Sequence, residues 1–249
     1  MQAFYSKVIN FILKKWHRKS LKRARGLVGN SSVSAALASK KMTVEEVWAG
    51  VVVGDDAPHY RLKWKALEMT KFPTDIYIYQ ELIWRSNVDV VVEVGTQAGT
   101  SAQFFSDLLK TAKRTNAVVV TIDINPVPEP HKSALDSLGV VVITGDIAKK
   151  STQQKIVPYI KDKNFLVVDD GSHTYGDVTA SLQFFQEYQS PESYMVVEDG
   201  VTDVMLSRTS KNALNAVDDF LSVNADYVRV LDYDPWLLST TFGGIIRRR

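Results

Sequence analysis

VVVEVGTQAGTSAQFF, residues Val90–Phe105, passes from a continuous apolar run through a turn with two glycines into a helical pattern. The run is rich in β-branched residues, which predicts a strand that is buried on both faces. It ends close to an acid, Glu93, and the turn that follows contains Gly95 and Gly99. A strand, a glycine turn and a helix in this order are typical of an α/β unit that binds a ligand at the turn.

The same alternation continues along the chain. Four more β-branched runs follow, separated by segments with helical periodicity, and they read AVVVTIDIN, GVVVITGD, NFLVVDDG and SYMVVEDG. Two further strand candidates, DYVRVLD and TFGGIIRR, come after a helical segment and would form a C-terminal antiparallel hairpin. We therefore predict a doubly wound, mostly parallel, seven-stranded Rossmann-like α/β sheet with an N-terminal helical extension.

Composition excludes several kinds of protein. The chain has 249 residues, of which 45% are hydrophobic and 23% charged, and it has no cysteine. Disulfides, thiolate nucleophiles and cysteine-bound metals are therefore excluded. No apolar run approaches the roughly 20 residues that span a bilayer. The N-terminal residues lack the continuous apolar core of a secretory signal, so we expect a cytoplasmic protein.

Charge divides the chain into two parts. Residues 1–44 contain ten of the 30 Lys and Arg residues and none of the 28 acids, so the remainder has a net charge of −8. We predict a basic N-terminal arm and linker over residues 1–45 and a ligand-binding domain over residues 46–249. In the arm, apolar residues recur at three- and four-residue steps, which indicates an amphipathic helix with a basic face.

Two roles for this arm remain open. Residues 1–25 could lie on the anionic inner face of a membrane as a peripheral contact. The same helix could instead pack on the body of the protein or on a second subunit of a homo-oligomer. A nucleic-acid partner is not expected, because no recognition motif accompanies the basic residues.

Acids stand at the ends of all five predicted parallel strands, where doubly wound sheets bind their ligands. Carboxylates on one edge repel one another and resist desolvation, so a positively charged or donor-rich group should lie there. In chain order these acids are Glu93, Asp123, Asp146, Asp169 with Asp170, and Glu198 with Asp199.

The first turn narrows the choice of ligand. Its spacing, E-x-G-x-x-x-G, differs from the G-x-G-x-x-G of dinucleotide folds, and no Lys-Ser/Thr pair for a nucleoside triphosphate follows. A cofactor with an amine and a sulfonium, S-adenosylmethionine, suits such a loop; Asp123 would accept from its ribose and Asp146 from its adenine amine. Taken singly, each feature is also explained by turn or helix-cap chemistry. The candidate cofactor-binding residues are Glu93, Gly95, Thr96, Gly99, Thr100, Ser101, Asp123 and Asp146.

A second group of residues combines DDGSHTYGD with VVEDG. Asp170, Glu198 and Asp199 come at the ends of two strands that should be neighbours, and three hard oxygen donors select Mg²⁺, or Mn²⁺ or Ca²⁺, over zinc. His173 could take a proton from a hydroxyl that the metal acidifies. The alternative is that His173 and Thr174 only cap the following helix.

With these motifs the chain resembles the metal-dependent, S-adenosylmethionine-using O-methyltransferases that include the cephalosporin hydroxylase family, the mycobacterial rhamnosyl O-methyltransferases and the macrolide-sugar methyltransferases. The resemblance spans about residues 48–249 and rests on KFPTDIYIYQELI, VVEVGTQAGTSAQFF, TIDIN, VVDDGSHTYGDV, VVEDG and FGGIIRR. It implies a methyltransferase fold, with Mg²⁺ bound by Asp170, Glu198 and Asp199 and with His173 as the base. Thr100 replaces a glycine that is frequent in the family loop.

The function expected from these observations is methyl transfer from S-adenosylmethionine to a hydroxyl of a sugar or another vicinal diol. The acceptor would be a small molecule or a glycolipid, and residues 48–75 with Val201–Lys211 are candidates for a lid over it. The alternatives are a non-catalytic nucleoside-binding protein and a homologue named as a hydroxylase. An iron oxygenase is disfavoured, because its usual ligand set needs a second histidine at this edge.

Overall fold

The computed structural model describes residues 62–114, 116–200, 211–233 and 239–249. The predicted arm over residues 1–45, residues 48–61 of the first lid candidate and residues 201–210 of the second lie outside the described residues. The helices are α1 Pro73–Arg85, α2 Thr100–Thr111, α3 His131–Ser137, α4 Lys150–Ile160, α5 Tyr175–Gln186 and α6 Ala213–Val223. The strands are β1 Lys63–Trp64, β2 Leu67–Glu68, β3 Val90–Val94, β4 Val118–Asp123, β5 Val141–Thr144, β6 Phe165–Asp169, β7 Tyr194–Val197, β8 Tyr227–Arg229 and β9 Ile245–Arg248.

Seven of these strands form one sheet in the order β5-β4-β3-β6-β7-β9-β8. Strands β3 to β7 are mutually parallel, whereas β9 is antiparallel to both β7 and β8. The predicted mostly parallel sheet and its C-terminal antiparallel hairpin are therefore confirmed. Strands β1 and β2 form a separate two-stranded hairpin. None of the helices in the described ranges is both long and apolar enough to cross a membrane.

The central strand β3 is buried along its whole length because apolar cores cover both faces of the sheet. Val90, Val92 and Val94 pack into one core, and Val91 packs into the other. This alternation follows from the two-residue period of a strand. Glu93 is therefore on the face of Val91, next to helices α1 and α2.

The register of β6 and β7 brings two acidic strand ends together. The backbone N–H of Asp170 donates to the carbonyl of Val94 at 2.8 Å, and that of Glu198 donates to Asp169 at 2.9 Å. The ladder thus continues past the last regular strand residues. The predicted neighbouring placement of the two acidic ends is confirmed.

Gly95 stands where the chain leaves β3, and its backbone has a φ of +99°. A Cβ at this position would lie 2.1 Å from the carbonyl oxygen of Asp170. Only glycine combines this φ with such a close approach of two backbones. The first turn of the sheet consequently depends on the missing side chain.

We expect Gly95→Ala to lower the free energy of unfolding by on the order of 3 kcal/mol, because it adds both backbone strain and a steric clash. The measurement is urea unfolding followed by circular dichroism. Gly176→Ala is the matched control: a Cβ at Gly176, in the first turn of α5, meets nothing within 4 Å. Gly176→Ala should leave the free energy of unfolding unchanged or raise it by about 0.5–1 kcal/mol. Equal effects of the two substitutions would contradict the steric explanation.

Candidate active site

The glycine loop between β3 and α2 is held from one side by Asp123. One oxygen of this carboxylate, Oδ2, accepts from the backbone N–H groups of Thr96 and Gln97, each at 3.0 Å. The other, Oδ1, accepts from the backbone N–H of Asn125 at 2.8 Å. Asp123 therefore shapes the loop, and its predicted role with a ribose stays a prediction.

From beneath, the loop is held by Glu93, which is fully buried. Its Oε2 accepts from the hydroxyl of Thr121 at 2.6 Å, and Thr121 in turn is 2.6 Å from the hydroxyl of Thr96. Glu93 and Thr121 are register partners on neighbouring strands. Burial raises the pKa of Glu93 to about 7. Glu93 thus supports the loop through a chain of hydroxyls and does not line the cavity above it.

A cavity of about 1040 Å³ opens at the carboxyl ends of the parallel strands. Gly99 is the residue before α2 and has a φ of +79°, so it turns the loop into the helix. Asp146 accepts from the backbone N–H of Ala148 at 2.8 Å while it faces the cavity. The predicted cofactor-binding residues that line this cavity are Gly95, Thr96, Thr100, Ser101, Asp123 and Asp146.

The other half of the cavity contains the predicted base. Nε2 of His173 lies 3.3 Å from Oδ2 of Asp199 and 3.7 Å from Oδ1 of Asp170. Both His173 and Asp199 have left-handed backbones, with φ of +54° and +62°. Such conformations are uncommon for residues other than glycine and concentrate at functional sites. The following residue, Thr174, caps α5 by accepting from the N–H of Asp177, so the capping alternative holds for Thr174 and not for His173.

Lys71 comes just before α1 and is not among the site residues predicted from the sequence. Its side chain is 1% exposed, and its ammonium donates to Asp170 and, at 2.9 Å, to Oε2 of Glu198. Burial alone would lower the pKa of Lys71, but the charges of Asp170, Glu198 and Glu93 outweigh it and raise that pKa above its ordinary value. This ammonium is a positive group of the kind that the acidic edge was expected to require.

Glu198 receives hydrogen bonds on both of its oxygens. The hydroxyl of Tyr79 donates to Oε1, and the hydroxyl of Thr240 donates to Oε2 at 3.1 Å beside Lys71. Burial, followed by the charge of Asp170, raises the pKa of Glu198 to about 7. The carboxylate is thus enclosed by donors from α1 and from the segment before β9.

Asp75 completes this network one turn along α1. It is fully buried and accepts from the hydroxyl of Ser239 at 2.6 Å and from the backbone N–H of Thr240 at 3.0 Å. Its other oxygen accepts from the N–H of Phe72, which caps the helix. The C-terminal segment is consequently joined to the start of α1 at the site.

A signal for these missed residues was present in the sequence. Asp75 and Tyr79 are four residues apart, which places them on one side of α1, and Lys71 lies four residues before Asp75, just outside the helix. Their neighbours Ile78 and Leu82 are buried apolar residues, so the polar side chains enter the interior beside them. Polar residues at helical spacing within a buried stretch predict a buried network, although not its partners.

The three predicted metal ligands, Asp170, Glu198 and Asp199, all line the cavity. Nevertheless, the described ranges contain no cluster of three His, Asp or Glu side chains arranged to hold a metal ion. Lys71 lies between two of the three carboxylates. Their role as ligands stays a prediction.

The fold and the cavity define a Rossmann-like protein of the methyltransferase type, with its ligand cavity at the carboxyl ends of β3 to β7. A family model described as Rhamnosyl O-methyltransferase/CmcI matches residues 57–248, and the chain belongs to this family. The resemblance predicted from the motifs is confirmed.

Individual relatives are distant in sequence. The rhamnosyl O-methyltransferases of Mycobacterium tuberculosis (strain H37Rv) and Mycobacterium bovis (strain AF2122/97) are each 25% identical over 130 residues, which is 52% of this chain and 53% of the relative. The chain thus spans about half the length of the curated relatives that it matches.

Two solved structures share the fold. A CmcI structure described as "cmcI-D160 Mg-SAM" has a TM-score of 0.58 at 18% identity and covers 76% of this chain and 77% of that one. The apo structure of CalS11, a TDP-rhamnose 3'-O-methyltransferase of calicheamicin biosynthesis, has a TM-score of 0.52 at 16% identity, with 93% of both chains covered.

The raised pKa of Glu93 predicts a pH dependence of stability. Between its ordinary value of 4.5 and about 7, the folded protein holds a proton that the unfolded chain has lost. The free energy of unfolding should therefore fall as pH rises through this window, by up to about 1.4 kcal/mol per pH unit. Glu93→Gln should remove this contribution, as measured by urea unfolding at several pH values.

Glu192→Gln, a substitution of an exposed carboxylate, serves as the control and should leave the pH profile of the wild type unchanged. A profile of Glu93→Gln with the same slope as the wild type would show that Glu93 is not protonated in the folded state.

Proposed function

We propose that this chain transfers a methyl group from S-adenosylmethionine to a hydroxyl of a sugar or another vicinal diol, with magnesium bound and with His173 as the base. One observation carries the proposal: a single cavity joins a glycine loop at one end to His173 between two carboxylates at the other. The family to which the chain belongs and the methyltransferase fold support it.

The cavity suits a cofactor that carries an amine, a sulfonium and a nucleoside. Oδ2 of Asp169 lies buried at its wall and accepts no hydrogen bond within the described part of the chain, so it can receive a donor from a ligand. Ile124, next to Asp123, is 70% exposed toward the same space and offers an apolar surface for a purine. When bound, S-adenosylmethionine supplies the methyl group, and the loop and these residues orient it.

The donor set is also of the kind that magnesium prefers, because it consists of carboxylates with no sulfur ligand. The residues that would hold the ion are Asp170, Glu198 and Asp199. There it would lower the pKa of an acceptor hydroxyl. Lys71 forms ion pairs with two of these carboxylates, Asp170 and Glu198, in this structure.

In this proposal His173 takes the acceptor proton. Oδ2 of Asp199 and Oδ1 of Asp170 face its Nε2, so their negative charges stabilise the imidazolium that forms when the ring is protonated. His173 lines the cavity and has a left-handed backbone. An alcohol bound at this end of the cavity would lie beside His173.

The names of the relatives support the acceptor class, since two groups of them are named as rhamnosyl or TDP-rhamnose O-methyltransferases. We propose a deoxysugar hydroxyl, carried either by a small molecule or by a glycolipid. If the basic arm contacts an anionic membrane surface, it would favour the glycolipid. We propose separately that the chain assembles into a homo-oligomer.

The function is tested in two steps. Thermal denaturation with S-adenosylhomocysteine, NAD or ATP, each with and without Mg²⁺, should show stabilisation by S-adenosylhomocysteine alone among the three. Transfer of a radiolabelled methyl group from S-adenosylmethionine to TDP-rhamnose is then compared with transfer to an analogue that lacks one of the two adjacent hydroxyls. Binding of S-adenosylhomocysteine without transfer to any diol would favour the non-catalytic alternative. Stabilisation by NAD in its place would refute the proposal.

We expect His173→Asn to lower turnover by on the order of 10²–10⁴, because a general base contributes about this factor. Asparagine tolerates the left-handed backbone at this position, so the fold should persist. Affinity for S-adenosylhomocysteine, measured by calorimetry, should stay within about threefold of the wild type, since the loop end of the cavity is unchanged. A variant with full turnover would remove His173 from the mechanism.

A further inference from the structure

Lys71 occupies the position in which a cation is required by the acidic strand ends. Its ammonium is buried against Asp170, from β6, and Glu198, from β7, at the point where these two parallel strands end. Its backbone is fixed by the residues around it, because its N–H donates to the carbonyl of Met69 and Phe72 begins the cap of α1. The lysine is therefore a built part of the site and not a surface side chain that happens to reach it.

The same two carboxylates are two of the three proposed magnesium ligands. A magnesium ion binds carboxylate oxygens at about 2.0–2.1 Å and tolerates little deviation from its octahedral geometry. The Oε2 atom of Glu198 already accepts from both Lys71 and Thr240, and its Oε1 accepts from Tyr79. A metal bound through Oε2 would thus have to displace one of its two donors, Lys71 or Thr240.

Charge decides which donor leaves. Tyr79 and Thr240 are neutral, whereas the ammonium of Lys71 would stand within a few ångströms of a divalent ion and be repelled by it in a buried setting. Without a metal, in contrast, removal of the ammonium would leave the buried carboxylate of Glu198 beside the partly exposed carboxylate of Asp170 with no countercharge from Lys71. Each cation consequently stabilises the pair only when the other is absent.

We propose that Lys71 is a built-in competitor of the divalent metal: its ammonium and the metal are alternative occupants of the Asp170–Glu198 pair. The proposal rests on the metal site of the proposed function and adds the residue that sets its affinity. In the absence of metal, the ammonium of Lys71 stabilises the Asp170–Glu198 pair. It also lowers the affinity of the site for the metal, because the metal must displace the ammonium to bind.

Binding of Mn²⁺, followed by the electron paramagnetic resonance signal of the free ion, tests this proposal. Lys71→Met keeps the length of the side chain and removes the charge, so it should bind Mn²⁺ at least about tenfold more tightly than the wild type. Lys132→Met, which removes an exposed charge from α3, should bind as the wild type does. Lys71→Arg keeps the charge and should not gain affinity. Asp199→Asn should weaken binding in every background.

The outcomes separate this proposal from the proposed function. If Asp199→Asn weakens binding but Lys71→Met does not tighten it, the competition is refuted and the metal site stands. If only Lys71→Met binds Mn²⁺, the competition is supported, and the wild-type enzyme works without a metal at this position. If neither protein binds Mn²⁺, both the competition and the metal site are refuted, while methyl transfer is still judged by the separate assay.

A measurement on the wild-type protein covers the case in which Lys71→Met does not fold. Lysine acetylation by a water-soluble ester, read by peptide mass spectrometry, should leave Lys71 protected in the absence of metal, because it is buried and paired. Saturating Mg²⁺ should increase its modification several-fold relative to Lys132 in the same sample. Unchanged protection of Lys71 at saturating Mg²⁺ would overturn the proposal.

Discussion

The ion pairs between Lys71 and the carboxylates of Asp170 and Glu198 are the interaction on which the site depends. A parallel sheet that ends five strands in acids concentrates negative charge at one edge, and burial makes this costly. Lys71 offsets part of this cost from within the protein. Because the lysine precedes α1, the position of that helix against the sheet and the electrostatics of the acidic edge are coupled.

The two halves of the cavity use their acids in different ways. Glu93 and Asp123 hold the glycine loop, one through the hydroxyl of Thr121 and the other through backbone N–H groups. Asp170 and Asp199 instead face the imidazole of His173. The first pair acts as structural support for the glycine loop, whereas the second pair faces an imidazole in the cavity. Acids at strand ends therefore have different roles in this site. The role of each acid depends on the groups that surround it.

The C-terminal segment also belongs to the site. The backbone N–H of Thr240 donates to Asp75 and its hydroxyl donates to Glu198, so this residue links the segment before β9 to α1 and to the end of β7. Strand β9 is inserted antiparallel between β7 and β8, which brings this segment back across the carboxyl ends of the parallel strands. Membership in the Rhamnosyl O-methyltransferase/CmcI family over residues 57–248 agrees with a site that takes residues from both ends of the matched region.

The sequence by itself determined the five buried parallel strands, the terminal hairpin and the acids at one edge, because two-residue and 3.6-residue periodicities and strand ends are local properties. It could not determine the partners of those acids. Lys71 lies 99 residues from Asp170 and 127 from Glu198 along the chain, and Thr240 lies 42 beyond Glu198. Only the tertiary structure brings them together, since hydrogen bonds and ion pairs in a buried site depend on distances that packing of the helices against the sheet decides.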